Sequence, residues 1–159
     1  MTVRILRART SCAPVTLLQR LGDHEDFPTH APDVLSVTPC GEGHTSWQLA
    51  FRTATVHWVQ QEKMETGGLT FQQTTGDFIA LNGAWKVVPD APRGSSSPHG
   101  SEVTYEVSFR TSVAHLAGAI DPVIGRVLLR SAFAILTGLA APTELLSGGE
   151  YLHDLPPAA

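Results

Sequence analysis

Trp58, Gln60 and Glu62 stand at alternate positions, so any extended segment holding them puts an indole, an amide and a carboxylate on one side. A carboxylate walled by aromatic rings loses solvation, which raises its proton affinity and suits it to general acid–base work near neutral pH. Beside Trp58 and Phe71, Glu62 is the candidate to move a proton. Gln60 or Gln73 would donate to an oxygen that gains negative charge, and Tyr105 is an alternative acid. The plain alternative for Glu62 is a solvated charge at a strand end, next to Lys63, because glutamate is rarely buried unpaired.

Other chemistry is excluded by spacing. His24 and His30 are six apart with prolines nearby, so they do not form a helical zinc pair. Gly41-Glu42-Gly43 reads as a hairpin turn and not a phosphate cradle, since no helix follows it. Cys12 and Cys40 form no CxxC pair. No metal and no nucleotide cofactor is implied. His30, with Pro28 and Pro32 on either side, is placed to close the mouth of a cavity.

The chain has 159 residues, 42% hydrophobic and 16% charged, with a formal charge of -4 and a pI near 5.9. That balance fits a globular protein and argues against a nucleic-acid binder or a polybasic membrane-surface module. The longest window free of charge, Ser131 to Thr143, is shorter than the roughly 18 residues of a membrane span, so no membrane partner is expected. No apolar run of signal-peptide length stands near Met1, which makes a cytoplasmic location the expectation. One domain over residues 1–142 and a tail over 143–159 is the predicted organisation.

The elements that must position these residues follow from periodicity. Val3, Ile5 and Ala8 alternate with Arg4 and Arg7 in a rough period of two, predicting a half-buried first strand with these aliphatic residues on its covered face. Pro14 opens a short helix with Leu17, Leu18 and Leu21 on one stripe. Six antiparallel strands are predicted at Val34 to Thr38, His44 to Arg52, Thr55 to Met64, Leu69 to Thr75, Phe78 to Val88 and Glu102 to Arg110, each bounded by turn residues. A long helix then starts at Pro122 with Asp121 as its N-cap, and Ile124, Leu128, Ile135 and Leu139 form its apolar stripe. Ser131, Ala132 and Ala134 are small where that helix faces the sheet, so a cavity is expected between them. Its predicted wall comprises Trp58, Phe71, Gln73, Leu81, Trp85 and Leu128, while Trp47 is read as packing.

Asp26-Phe27-Pro28, Trp58 in a long central strand, Gly83-Ala84-Trp85 and Ile135-Leu136-Thr137-Gly138-Leu139 carry a likeness that spans most of the chain. In this order they resemble the START-like helix-grip (SRPBCC) superfamily, most of all its polyketide cyclase/aromatase group and the coenzyme Q-binding, RatA-like proteins. The resemblance implies an α+β fold: a seven-stranded curved antiparallel sheet wrapped around a long C-terminal helix, with a central cavity and no metal or organic cofactor. It implies a hydrophobic, oxygenated ligand such as a poly-β-ketone of antibiotic biosynthesis, presented by an acyl carrier protein and led through aldol closure and dehydration. A non-catalytic carrier of a quinone or lipid is the other function it implies. Members carry a tryptophan, a small hydroxyl residue and an arginine at alternate positions of the central strand; this chain has Trp58, Gln60 and Glu62 there. Val113 to Ile120 offers an apolar edge through which two copies would form a homodimer.

Overall fold

The computed structural model describes residues 1–51, 54–90, 100–111 and 114–152, with the side chains of 114–119 and Tyr151 outside the description. Eight strands form one antiparallel sheet among these residues. They are β1 (Thr2–Thr10), β2 (Val34–Gly41), β3 (His44–Phe51), β4 (Ala54–Glu65), β5 (Gly68–Gly76), β6 (Ala80–Pro89), β7 (Ser101–Arg110) and β8 (Thr143–Ser147), in the spatial order β2-β3-β4-β5-β6-β7-β1-β8. Helices α1 (Pro14–Gly22) and α2 (Phe27–His30) link β1 to β2, and the long α3 (Ala114–Leu139) follows β7.

Two-residue turns fix the register that aims the central strands. Glu42-Gly43 and Thr66-Gly67 close the β2–β3 and β4–β5 hairpins, and in each the glycine takes a left-handed backbone, with φ of 69° and 73°. A one-residue slip at either turn would send Trp58 and its companions to the opposite face. On β7 the alternation is complete: Val103, Tyr105, Val107 and Phe109 are buried against α3, which answers with Ile124, Leu128, Leu129, Ala132, Ile135 and Leu136. The segment Ile120–Leu139 is long and apolar enough to cross a membrane by composition, and half of it is buried in this fold.

Three expectations are corrected. The first strand is inverted: Leu6, Ala8 and Thr10 face the core, while Val3 and Ile5 are 44% and 43% exposed. Pairing decides this, because Leu6 opposes Tyr105 and Ala8 opposes Val103, both on the inner face of β7. The long helix does not begin at Pro122 but runs through it from Ala114. Asp121 is no N-cap; its carboxylate accepts hydrogen bonds from the Thr2 hydroxyl at 2.8 Å and from the Thr111 backbone and hydroxyl, tying helix to strand ends. Finally, the sheet has eight strands and not seven, since residues 143–147, read as tail, pair with β1 as β8. Five residues without strong alternation give little strand signal alone, and here the open edge of β1 supplies the partner. The edge at Val113 to Ile120 lies almost wholly outside the described side chains.

Candidate functional site

The sheet and α3 enclose a cavity lined by aliphatic and aromatic side chains and by four residues with polar side-chain groups apart from the indoles: Gln60, Glu62, Tyr105 and Ser131. Of the residues predicted for the wall, Trp58, Phe71, Leu81, Trp85 and Leu128 line it, and so does Trp47, against the expectation of plain packing. The space open within it is only about 40 Å³, room for roughly three waters. This is far from the deep cavity that the resemblance implies. Side chains of the lining leave little of the volume open, and a ligand of ordinary size must displace some of them.

Alternation along β4 is unbroken, so Trp58, Gln60 and Glu62 do share the inner face. The irregularity that would have upset this falls on β5, where Thr74 is the extra residue between the partners of Val59 and Gln60. Gln60 is 4% exposed and takes part in a chain of polar contacts. The Trp58 indole N–H donates to its Oε1 at 2.8 Å, and its Nε2 donates to Glu62 Oε2 at 3.2 Å. Glu62 also accepts from the Thr45 hydroxyl at 3.3 Å and lies 2.8 Å from His24 Nε2. Thr45 in turn accepts the Trp47 indole N–H at 2.9 Å. Both side chains of the His24–Glu62 pair are about nine-tenths buried, so the carboxylate is not the strand-end surface charge of the plain alternative.

His24 sits in the connection between α1 and α2, edge-on to Phe27 at 5.1 Å and to Trp47 at 6.2 Å, and Trp47 stacks on Trp58 at 5.6 Å. One imidazole thus pins this connection to the carboxylate at the polar end of the cavity. In the sequence His24 stands out only as half of a metal pair; its partner is 38 positions away, and no local spacing announces such a contact. Among the described residues no three potential metal ligands cluster.

Tyr105 occupies the other side, tilted on Trp85 at 4.7 Å and stacked on Phe71 at 6.0 Å. Burial pushes its pKa well above the ordinary tyrosine value, so it stays a neutral hydroxyl. Two predicted residues lie apart from the cavity. The Gln73 amide donates to the Phe78 carbonyl at 2.9 Å and accepts the Phe78 N–H at 3.2 Å, clasping the bend before β6. His30 packs on α3 where Gly138 leaves room: a Cβ there would come 2.2 Å from the imidazole. A broader depression on the outer sheet face, lined by Gln61, Lys63, Thr70, Gln72 and Asn82 among others, is polar and open.

A strongly bent antiparallel sheet gripping one long helix over an aromatic cavity is the α+β helix-grip architecture of START-like proteins. Residues 13–134 match the family model described as polyketide cyclase / dehydrase and lipid transport, and the chain belongs to that family. Similar solved structures include TTHA0849 from Thermus thermophilus, at a TM-score of 0.71 and 16% identity over 87% of this chain and 94% of that one. The Zhui aromatase/cyclase from Streptomyces sp. R1128 gives 0.66 and 11% over 87% and 94%. A START superfamily protein from Mycobacterium smegmatis gives 0.66 and 11% over 86% and 94%. At these identities the likeness is one of fold. No curated protein sequence matches the chain.

Proposed function

We propose that this protein binds a poly-β-ketone in the sheet–helix cavity and directs its aldol cyclisation and dehydration. The observation that carries the reading is Glu62, a carboxylate about nine-tenths buried on a cavity wall of indole and phenyl rings. A methylene between two carbonyls is acidic enough for a positioned carboxylate to deprotonate. In this scheme Glu62 takes that proton, the resulting enolate carbon attacks a ketone carbon further along the chain, and the alkoxide so formed takes a proton from Tyr105. The Tyr105 phenolate then takes a second methylene proton while Glu62 returns its proton to the new hydroxyl, which leaves as water, so the ring is completed and both residues are restored. No oxidant or cofactor enters this balance.

Gln60 has one amide N–H beyond the bond it makes to Glu62, and that hydrogen is the one available to a developing oxyanion. Most of the acceleration would come from holding two chosen carbons in contact, which also fixes the ring pattern. An acyl carrier protein as donor, and a cytoplasmic location, belong to the same proposal. A second reading, a carrier of a quinone or lipid, is favoured by one feature: Glu62 is already satisfied by His24, Thr45 and Gln60, as an anchoring group would be.

Incubation of a carrier-bound polyketide with the protein, with Glu62→Gln and with Gln60→Ala separates the two. Cyclisation predicts a dominant ring pattern that is lost in Glu62→Gln by about a hundredfold or more, the usual weight of a general base. Product mixtures identical with and without protein would remove the cyclase reading, and co-purified quinone would promote the carrier.

A further inference from the structure

The polar groups on β3 and β4 satisfy one another, from the Trp47 indole through Thr45 to Glu62 and from the Trp58 indole through Gln60. Apart from the second Gln60 amide N–H, unused hydrogen-bonding capacity lies elsewhere in the cavity. Ser131 on α3 is 6% exposed and lines the cavity, yet its Oγ meets no partner, not even the helical carbonyl four residues earlier that a serine commonly takes. Across the cavity on β7, Tyr105 is 7% exposed and lines the same space, and its hydroxyl donates to no described residue. A helix wall that needed only a small residue would carry alanine, as it does at the next position, Ala132. A buried orphan hydroxyl costs stability, so its presence calls for an occasional partner.

We infer that Ser131 Oγ and Tyr105 Oη are the donors that hold carbonyl oxygen of the bound molecule, making the cavity selective for a neutral ketone over a hydrocarbon of equal shape. The inference rests on the reading of the cavity as a small-molecule site and names the functional group that site recognises. Both donors are neutral, and burial keeps the phenol unionised, so they suit a neutral acceptor. An anionic ligand is disfavoured on two counts: it would lose its hydration in an apolar enclosure and would share that enclosure with Glu62. Ketone, quinone and ester oxygens remain. Ser131 also borders a second depression, lined by Ala31, Pro32, Asp33, Arg130 and Ala134.

The probes are 1-tetralone and tetralin, the same bicycle with and without a carbonyl, titrated calorimetrically into the full chain. The wild type is expected to bind the ketone about tenfold more tightly, and Ser131→Ala and Tyr105→Phe each to weaken the ketone by about fivefold, the factor of one neutral hydrogen bond. Tetralin affinity should stay within about twofold in both variants, since only the donor is removed. The infrared C=O stretch of bound tetralone should rise in each variant, a readout that a mere loss of packing would not move. Equal affinity of the wild type for the two probes, or variants that weaken both alike, would overturn the donor assignment while leaving the cavity as a binding site. If neither probe binds the wild type, the small-molecule reading falls and the donor assignment with it. Ser131→Ala removes a single buried oxygen, and a melting temperature no lower than that of the wild type certifies the fold in that arm.

Discussion

Glu62 differs from its neighbours Lys63 and Glu65 in what it touches: an imidazole, a hydroxyl and an amide, all inside the aromatic wall. Replacing His24 with alanine leaves that carboxylate short of its strongest partner in a poorly solvated place. We expect a loss of about 1–3 kcal/mol in chemical denaturation, the cost of a buried group left unmatched. Ser131→Ala should act in the opposite direction, raising stability by up to about 1 kcal/mol, because it deletes an unpartnered hydroxyl and installs a better helix former. Tyr105 gives a pH signature. Its folded pKa is raised above the unfolded value, so above about pH 10 the unfolded chain sheds a proton that the folded chain keeps. Stability therefore falls as pH rises, by about 1.4 kcal/mol per unit from this group alone. Denaturation of wild type and Tyr105→Phe at pH 9 and 11 isolates it: the gap between the two proteins should shift in favour of phenylalanine at the higher pH. At this scale the sequence was legible where alternation ran unbroken. Trp58, Gln60 and Glu62 follow from period two alone, but Gln73 does not, since the extra residue at Thr74 and the bend at Phe78 redirect its amide.

Among the elements, β1 and β8 show what periodicity cannot deliver. The inner and outer faces of β1 both hold aliphatic side chains, Leu6 and Ala8 against Val3 and Ile5, so the pattern is ambiguous until β7 sets the register. Five residues of β8 cover the other edge of β1, with Ala8 opposite Leu145 and Thr10 opposite Thr143. The Thr143 hydroxyl also donates to the Ala140 carbonyl at 2.9 Å, and the Thr10 hydroxyl donates to the same oxygen. Deleting residues 143–159 should therefore lower the melting temperature and, by exposing the β1 edge, promote self-association visible in light scattering. A true tail would give neither effect. The Asp-Pro pair at 121–122 misleads for a related reason: it has the chemistry of a helix start, yet the carboxylate is drawn off by Thr2 and Thr111 from the two strand ends beside it.

For the whole molecule, the decisive feature is how little open volume the sheet and helix leave. A cavity of about 40 Å³ is an order of magnitude below the roughly 300–1,000 Å³ of ordinary ligand sites, so occupation must displace side chains of its lining. The connection between α1 and α2 borders the cavity beside Phe27, and the His24–Glu62 contact ties it to the sheet. Hydrogen exchange should report this: amides of residues 23–31 are expected to exchange faster in His24→Ala, with β6 and β7 unchanged. The family resemblance foretold a cavity and a gripping helix; it could not foretell how little open volume remains, because that depends on side-chain packing rather than on residue order.

All three tryptophans of the chain, Trp47, Trp58 and Trp85, line that one cavity, which makes their indole N–H signals a direct gauge of whether it admits a guest. Titration of ¹⁵N-labelled protein with 1-tetralone, followed by two-dimensional NMR, should move all three indole resonances together and saturably. Three indole signals that stay in place at millimolar ketone would contradict the central claim that this enclosed space receives a hydrophobic, oxygenated molecule.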